Sequence, residues 1–167
     1  MAETATSRLM HELQKLQENL PEGVSSVVED PNPNETLKWN AVISGLKDCL
    51  FQGGKFKILM EFPKDYPTSP PKVKFVTKVY HPNVAFHFGR RIVPNRIADG
   101  TICMNILDND WTPTCDVSAI LLSIQCLLKN PNPSDPFNHI AADLFMNNPK
   151  EYEERVKFYV ERSLQDP

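Results

Sequence analysis

The chain has 167 residues, 41% of them hydrophobic and 23% charged, with a formal net charge of −3. This describes one domain, residues 1–167, large enough to bury its own core. There is no basic excess to favour nucleic acid or an anionic membrane surface, and no apolar run approaches the roughly 20 residues of a membrane span.

The first residues, MAETATSRLMHELQ, lack the basic flank and apolar core of a secretory signal, so an intracellular protein, cytoplasmic or nuclear, is expected. Leu9, Leu13, Leu16 and Leu20 recur at three- and four-residue steps and predict a helix over Thr6–Glu18. Thr6 or Ser7 is its expected cap, and Pro21 and Gly23 stop it. Three strands follow: Val24–Val28, rich in β-branched residues; Leu37–Ile43, alternating around Trp39; and Lys55–Phe62, alternating through Phe56, Ile58 and Met60. The joints DPNPN and QGG carry turn chemistry. A fourth strand, Lys72–Val76, comes after a proline-rich run. Val117, Ile120, Leu121, Ile124, Leu127 and Leu128 then mark an apolar helix, capped by Asp116 and ended by Pro131 and Pro133. His139–Met146 and Pro149–Leu164 are two more helices, with Asn148 a cap and Pro149 at the first helical position. The predicted class is α+β: an N-terminal helix, a four-stranded antiparallel meander, an irregular stretch and three C-terminal helices.

Cys49, Cys103, Cys115 and Cys126 form no C-x-x-C pair, and His11, His81, His87 and His139 show no metal-ligand spacing. Four reduced thiols and no metal are expected. Cys126 is expected to be a buried core thiol on its apolar helix, and Cys49 to lie in a loop without a role. Cys103, in GTICMNIL, sits among apolar residues in a short segment. A thiolate attacks an activated carbonyl well, and the resulting thioester is readily aminolysed, which suits it to passing an acyl group to a lysine. The charge formed in both steps is a tetrahedral oxyanion that preorganised donors stabilise. Asn83, in YHPN, carries an amide for that role, and Asp135, in NPNPSDP, carries a carboxylate among prolines.

Together with FPKDYPTSPP upstream, these segments in this order resemble the ubiquitin-conjugating enzyme family, from about Ser7 to about Ser163. The resemblance implies the ubiquitin-conjugating fold and an acyltransferase. Cys103 would accept ubiquitin as a thioester from an activating enzyme and yield it to a substrate lysine, usually with a ligase. Asn83 would support the oxyanion or order its loop. Asp135 would orient the incoming lysine and favour loss of its proton, while His81 would be structural. Tyr80, Asn105 and Phe137 are weaker candidates for shaping an acceptor groove. Ligases would grip Tyr66–Ser69 and Trp111–Thr114, so Pro67, Thr68, Trp111 and Pro113 are candidate contacts; Arg8 and Lys15 on the first helix would dock the activating enzyme. No metal or organic cofactor is implied, because ATP is consumed upstream.

The chain also departs from the family pattern. The stretch between HPN and the cysteine is longer than usual, an insertion at about residues 84–99 that is locally basic through Arg90, Arg91 and Arg96. Val84–Phe86 and Arg91–Val93 are candidate strands of a short hairpin there. The insertion is either a tolerated surface loop or a gate that selects modifier, ligase or acceptor. Thr68 stands where many ubiquitin-specific members carry an aromatic residue, and the first helix adds His11, Glu12 and Glu18 to its basic residues. Asn105-Ile106-Leu107 followed by Asp110-Trp111 is also similar to conjugating enzymes for NEDD8. Two further alternatives are a non-catalytic ubiquitin-binding scaffold and a thiol hydrolase pairing Cys103 with His81 or His139.

Overall fold

The computed structural model describes residues 4–32, 36–86 and 99–165. Helix α1 (Ala5–Glu18) leads into strands β1 (Val24–Glu29), β2 (Leu37–Ile43), β3 (Phe56–Phe62) and β4 (Lys72–Phe75). A 3₁₀ turn at Asn105–Leu107, absent from the sequence expectation, precedes α2 (Val117–Lys129), α3 (His139–Asn147) and α4 (Pro149–Ser163). The strands lie in chain order, each antiparallel to the next, so the expected meander and α+β class are both present.

Alternation sets the register. Trp39, Ala41 and Ile43 pair with Met60, Ile58 and Phe56, and all six face the core. Ile58 and Met60 meet Phe75 and Val73 in turn. Leu9 and Leu16 of α1, Val117, Ile120, Leu121, Ile124 and Leu128 of α2, and Tyr152 and Val156 of α4 share one buried cluster with this face. Each such side chain contributes about 1.5–3 kcal/mol on leaving water.

Three expectations are corrected. The cap of α1 is Thr4, whose hydroxyl accepts from the Ser7 amide at 3.1 Å, rather than Thr6 or Ser7. Leu20 lies past the end of α1 and is exposed. Cys126 is exposed as well, because the buried stripe of α2 passes through Gln125 instead. The Gln125 amide donates to the carbonyls of Glu22 at 2.8 Å and Ser44 at 3.4 Å, which satisfies a polar group among apolar neighbours. Cys49 is a buried thiol in the loop after β2, and burial raises its pKa. The caps at Asp116 and Asn148 are as expected.

Candidate active site

The segment that carries Cys103 is sewn to the sheet by its backbone. The Phe75 amide donates to the Gly100 carbonyl at 2.9 Å, Gly100 to Ala85 at 2.8 Å, and Ala85 to Thr101 at 2.9 Å. Gly100 has φ of 86°, and a Cβ there would run into the Phe75 carbonyl, so the turn delivering this segment requires glycine. Val84 bridges Ile102, and the Cys103 amide donates to the Asn83 carbonyl at 2.8 Å. Val84 and Ala85 thus bond to the Gly100–Ile102 segment; the partner strand of the expected hairpin, Arg91–Val93, with the rest of 87–98, lies outside the described residues.

His81-Pro82-Asn83 is the hub of the site. His81 is completely buried; its Nδ1 accepts from the Asn83 amide at 3.0 Å, which leaves Nε2 to donate to the Leu127 carbonyl at 2.7 Å. Burial lowers its pKa from 6.5 to about 4, so the ring is neutral near pH 7 and both nitrogens are engaged. The Pro82 carbonyl accepts from Phe137 and Asn138, both at 2.9 Å. The buried Asn83 amide donates to the carbonyls of Asn132 at 2.8 Å and Asp135 at 3.2 Å, while its oxygen accepts from the Asn132 amide at 2.8 Å. One residue thus holds the thiol segment through its backbone and the 130–136 segment through its side chain.

The consequence is a meeting of Cys103 and Asp135. The partly exposed Sγ donates to Oδ2 at 3.7 Å, a long contact that leaves the sulfur open to a reactant. Burial raises the thiol pKa, with Asp135 second and Asp108, at the end of the 3₁₀ turn, adding to it. The uncharged thiol is therefore protonated at neutral pH. Sequence reasoning missed Asp108, since only the tight turn after Cys103 returns it towards the sulfur. Asn105 is exposed and Phe137 half-buried, but Tyr80 is completely buried, stacked on Tyr159 at 5.9 Å, and lines no open groove. His139 opens α3 on the surface.

The two expected ligase loops meet elsewhere. Trp111 Nε1 donates to the Pro67 carbonyl at 2.8 Å, and the Trp111 ring lies 6.0 Å from that of Tyr66. Thr68 and Pro113 are exposed beside them. On α1, Lys15 is exposed, whereas Arg8 is committed internally: its guanidinium donates to Glu12 and to the carbonyls of Pro113 and Cys115. Among the described residues no group of three or more His, Cys, Asp or Glu is placed to hold a metal, and no helix is long and apolar enough to cross a membrane.

Comparison with known proteins agrees with this geometry. Residues 8–160 match the family model described as ubiquitin-conjugating enzyme. Ubiquitin-conjugating enzyme E2 1 of Caenorhabditis elegans is 45% identical over 163 residues, 98% of this chain and 77% of the relative. Ubiquitin-conjugating enzyme E2 2 of Candida glabrata is 43% identical over 166 residues, 99% of this chain and 90% of the relative. Its Saccharomyces cerevisiae counterpart is 42% identical over 166 residues, 99% and 88% of the two chains. A whole-chain match of this strength, on an α+β fold that brings the cysteine, the HPN loop and the aspartate to one place, means that the chain belongs to the ubiquitin-conjugating enzyme family.

Proposed function

We propose that this chain is an acyltransferase that carries ubiquitin on Cys103 and delivers it to lysine amines. The observation that supports this most is the meeting of a half-exposed thiol with Asp135 across a loop whose histidine is buried and neutral. In the first step Sγ attacks the C-terminal carbonyl of ubiquitin held as a thioester on an activating enzyme. The thiol gives up its proton, the tetrahedral intermediate collapses, and the activating enzyme's sulfur leaves. In the second step a lysine amine attacks the Cys103 thioester, loses a proton as the amide forms, and expels the Cys103 sulfur. Asp135 orients that amine and favours loss of its proton. Asn83 fixes the loop that presents both groups and, by turning its amide out of its present bonds, donates to the oxyanion.

The absence of a histidine on Cys103, among the described residues, suits this task. A base poised at the sulfur would also activate water and hydrolyse the thioester. Pro67, Thr68, Trp111 and Pro113 form the surface offered to ligases, and Lys15, with what remains open of Arg8, faces the activating enzyme. The protein works in the cytoplasm or nucleus.

The test is charging with activating enzyme, ATP and a panel of modifiers. The expected product is a reductant-labile ubiquitin adduct that free lysine discharges. Charging by NEDD8 alone overturns the choice of modifier, absence of any adduct points to a scaffold, and rapid release of free ubiquitin in water points to a hydrolase.

A further inference from the structure

We propose that Glu12 is a positioning residue that locks both ligase-facing loops to α1 and so sets the strength of ligase docking. Glu12 is one turn from Arg8, a spacing ordinarily read as a surface ion pair of little consequence. Here its side chain is only 11% exposed and bonds to three separate parts of the chain. Oε2 accepts from the Tyr66 hydroxyl at 2.7 Å and from Arg8 Nε at 3.1 Å; Oε1 accepts from the Val117 amide at 2.8 Å, at the start of α2. Arg8 then donates onward to the carbonyls of Pro113 at 3.2 Å and Cys115 at 3.1 Å.

The chain of bonds closes on itself. Tyr66 precedes Pro67, whose carbonyl accepts from Trp111, and Trp111 begins the loop that ends at Cys115 on Arg8. Burial and the Glu12 carboxylate hold the Tyr66 hydroxyl protonated, so it stays a donor. A carboxylate with all these donors is a strong, directional fixture, because hydrogen bonds to charged groups are about twice as strong as neutral ones. Both loops are therefore ordered before a partner arrives, and less conformational freedom is lost on binding.

The inference rests on reading these loops as the ligase surface, and the experiment separates the two. Amide hydrogen exchange is measured on the uncharged protein for Glu12→Gln and Glu12→Ala, where the Gln variant keeps volume and one acceptor oxygen. A ligase that accelerates wild-type discharge is then titrated against each charged variant. We expect faster exchange at Thr68, Trp111 and Cys115 with the β2–β3 amides unchanged. The half-saturating ligase concentration should rise about tenfold for Ala, with the Gln variant between it and wild type, and ligase-free discharge to lysine should not change. Unchanged exchange at both loops overturns the locking role. Faster exchange with unchanged half-saturation overturns the docking role of Glu12. The loop assignment is tested separately by Thr68→Asp on the exposed loop surface, which raises half-saturation if these loops bind the ligase and overturns that reading if it does not. An equal loss in ligase-free discharge shows that Glu12 supports the fold at large and overturns its assignment to docking.

Discussion

His81-Pro82-Asn83 and Cys103 are neighbours in the fold, yet their surroundings are opposite. His81 and Asn83 are buried with their polar side-chain atoms paired, whereas the Cys103 sulfur is partly exposed and holds one 3.7 Å contact to a carboxylate. In a thiol hydrolase the histidine would ionise the sulfur. Here it is spent on backbone, and burial first, then the nearby carboxylates, oppose ionisation of the sulfur. On the proposed function the loop is a hydrogen-bonded frame and the thiol the acyl carrier, which separates holding an acyl group from activating water against it.

That contrast can be broken from the frame side first. Asn83→Ala removes three hydrogen bonds and leaves the Asn132 amide unpaired. Single-turnover lysine discharge should fall by about 10²–10³-fold and unfolding free energy by about 2 kcal/mol, read by quench-flow and denaturant melts. Next in size is the pH response of the buried histidine. Unfolded His81 takes up a proton below about 6.5, while the folded ring resists until about 4. Stability is thus fully present above 6.5 and is lost as the pH falls through that window, by up to about 3 kcal/mol. Melts between pH 7 and pH 4 on wild type and His81→Gln should show that dependence reduced in the variant.

The carrier side gives smaller, more diagnostic effects. Asp135→Asn should slow lysine discharge by about 10²-fold while moving the alkylation profile of the Cys103 thiol to lower pH, because a charge opposing the thiolate is gone. A slower transfer from a more easily ionised thiol separates preparing the amine from preparing the sulfur. Smallest is Cys126→Ser, on the exposed face of α2, which should shift stability by less than about 0.5 kcal/mol; a larger loss would restore the core role that helical spacing suggested.

The elements read easily where spacing and burial agree. The three- and four-residue leucine steps point to α1, and the two-residue alternation around Trp39 and Ile58 points to β2 and β3, while their pairing register is seen only in the structure. The cap at Thr4 is not legible in the sequence because Thr4, Thr6 and Ser7 are chemically equivalent as local caps, and only the observed Ser7 amide bond picks one. Cys126 was misplaced because periodicity treats sulfur as apolar and glutamine as polar. It cannot see the Glu22 and Ser44 carbonyls that make Gln125 the better buried residue. In the site, motif order brought out Cys103, Asn83 and Asp135, but their meeting depends on bonds that span about 50 residues, such as Asn83 to Asn132 and Asp135. In the sequence Glu12 is only one of three residues set beside the basic ones of α1, and its tertiary partners alone single it out.

The most direct measurement is the intact mass of the charged protein before and after reductant, for wild type, Cys103→Ser and Cys103→Ala. A thioester on Cys103 predicts one added ubiquitin lost to reductant in wild type, an adduct resistant to reductant but cleaved by alkali in Cys103→Ser, and none in Cys103→Ala. A reductant-labile adduct that survives in Cys103→Ala would place the acyl group on another cysteine and contradict the account.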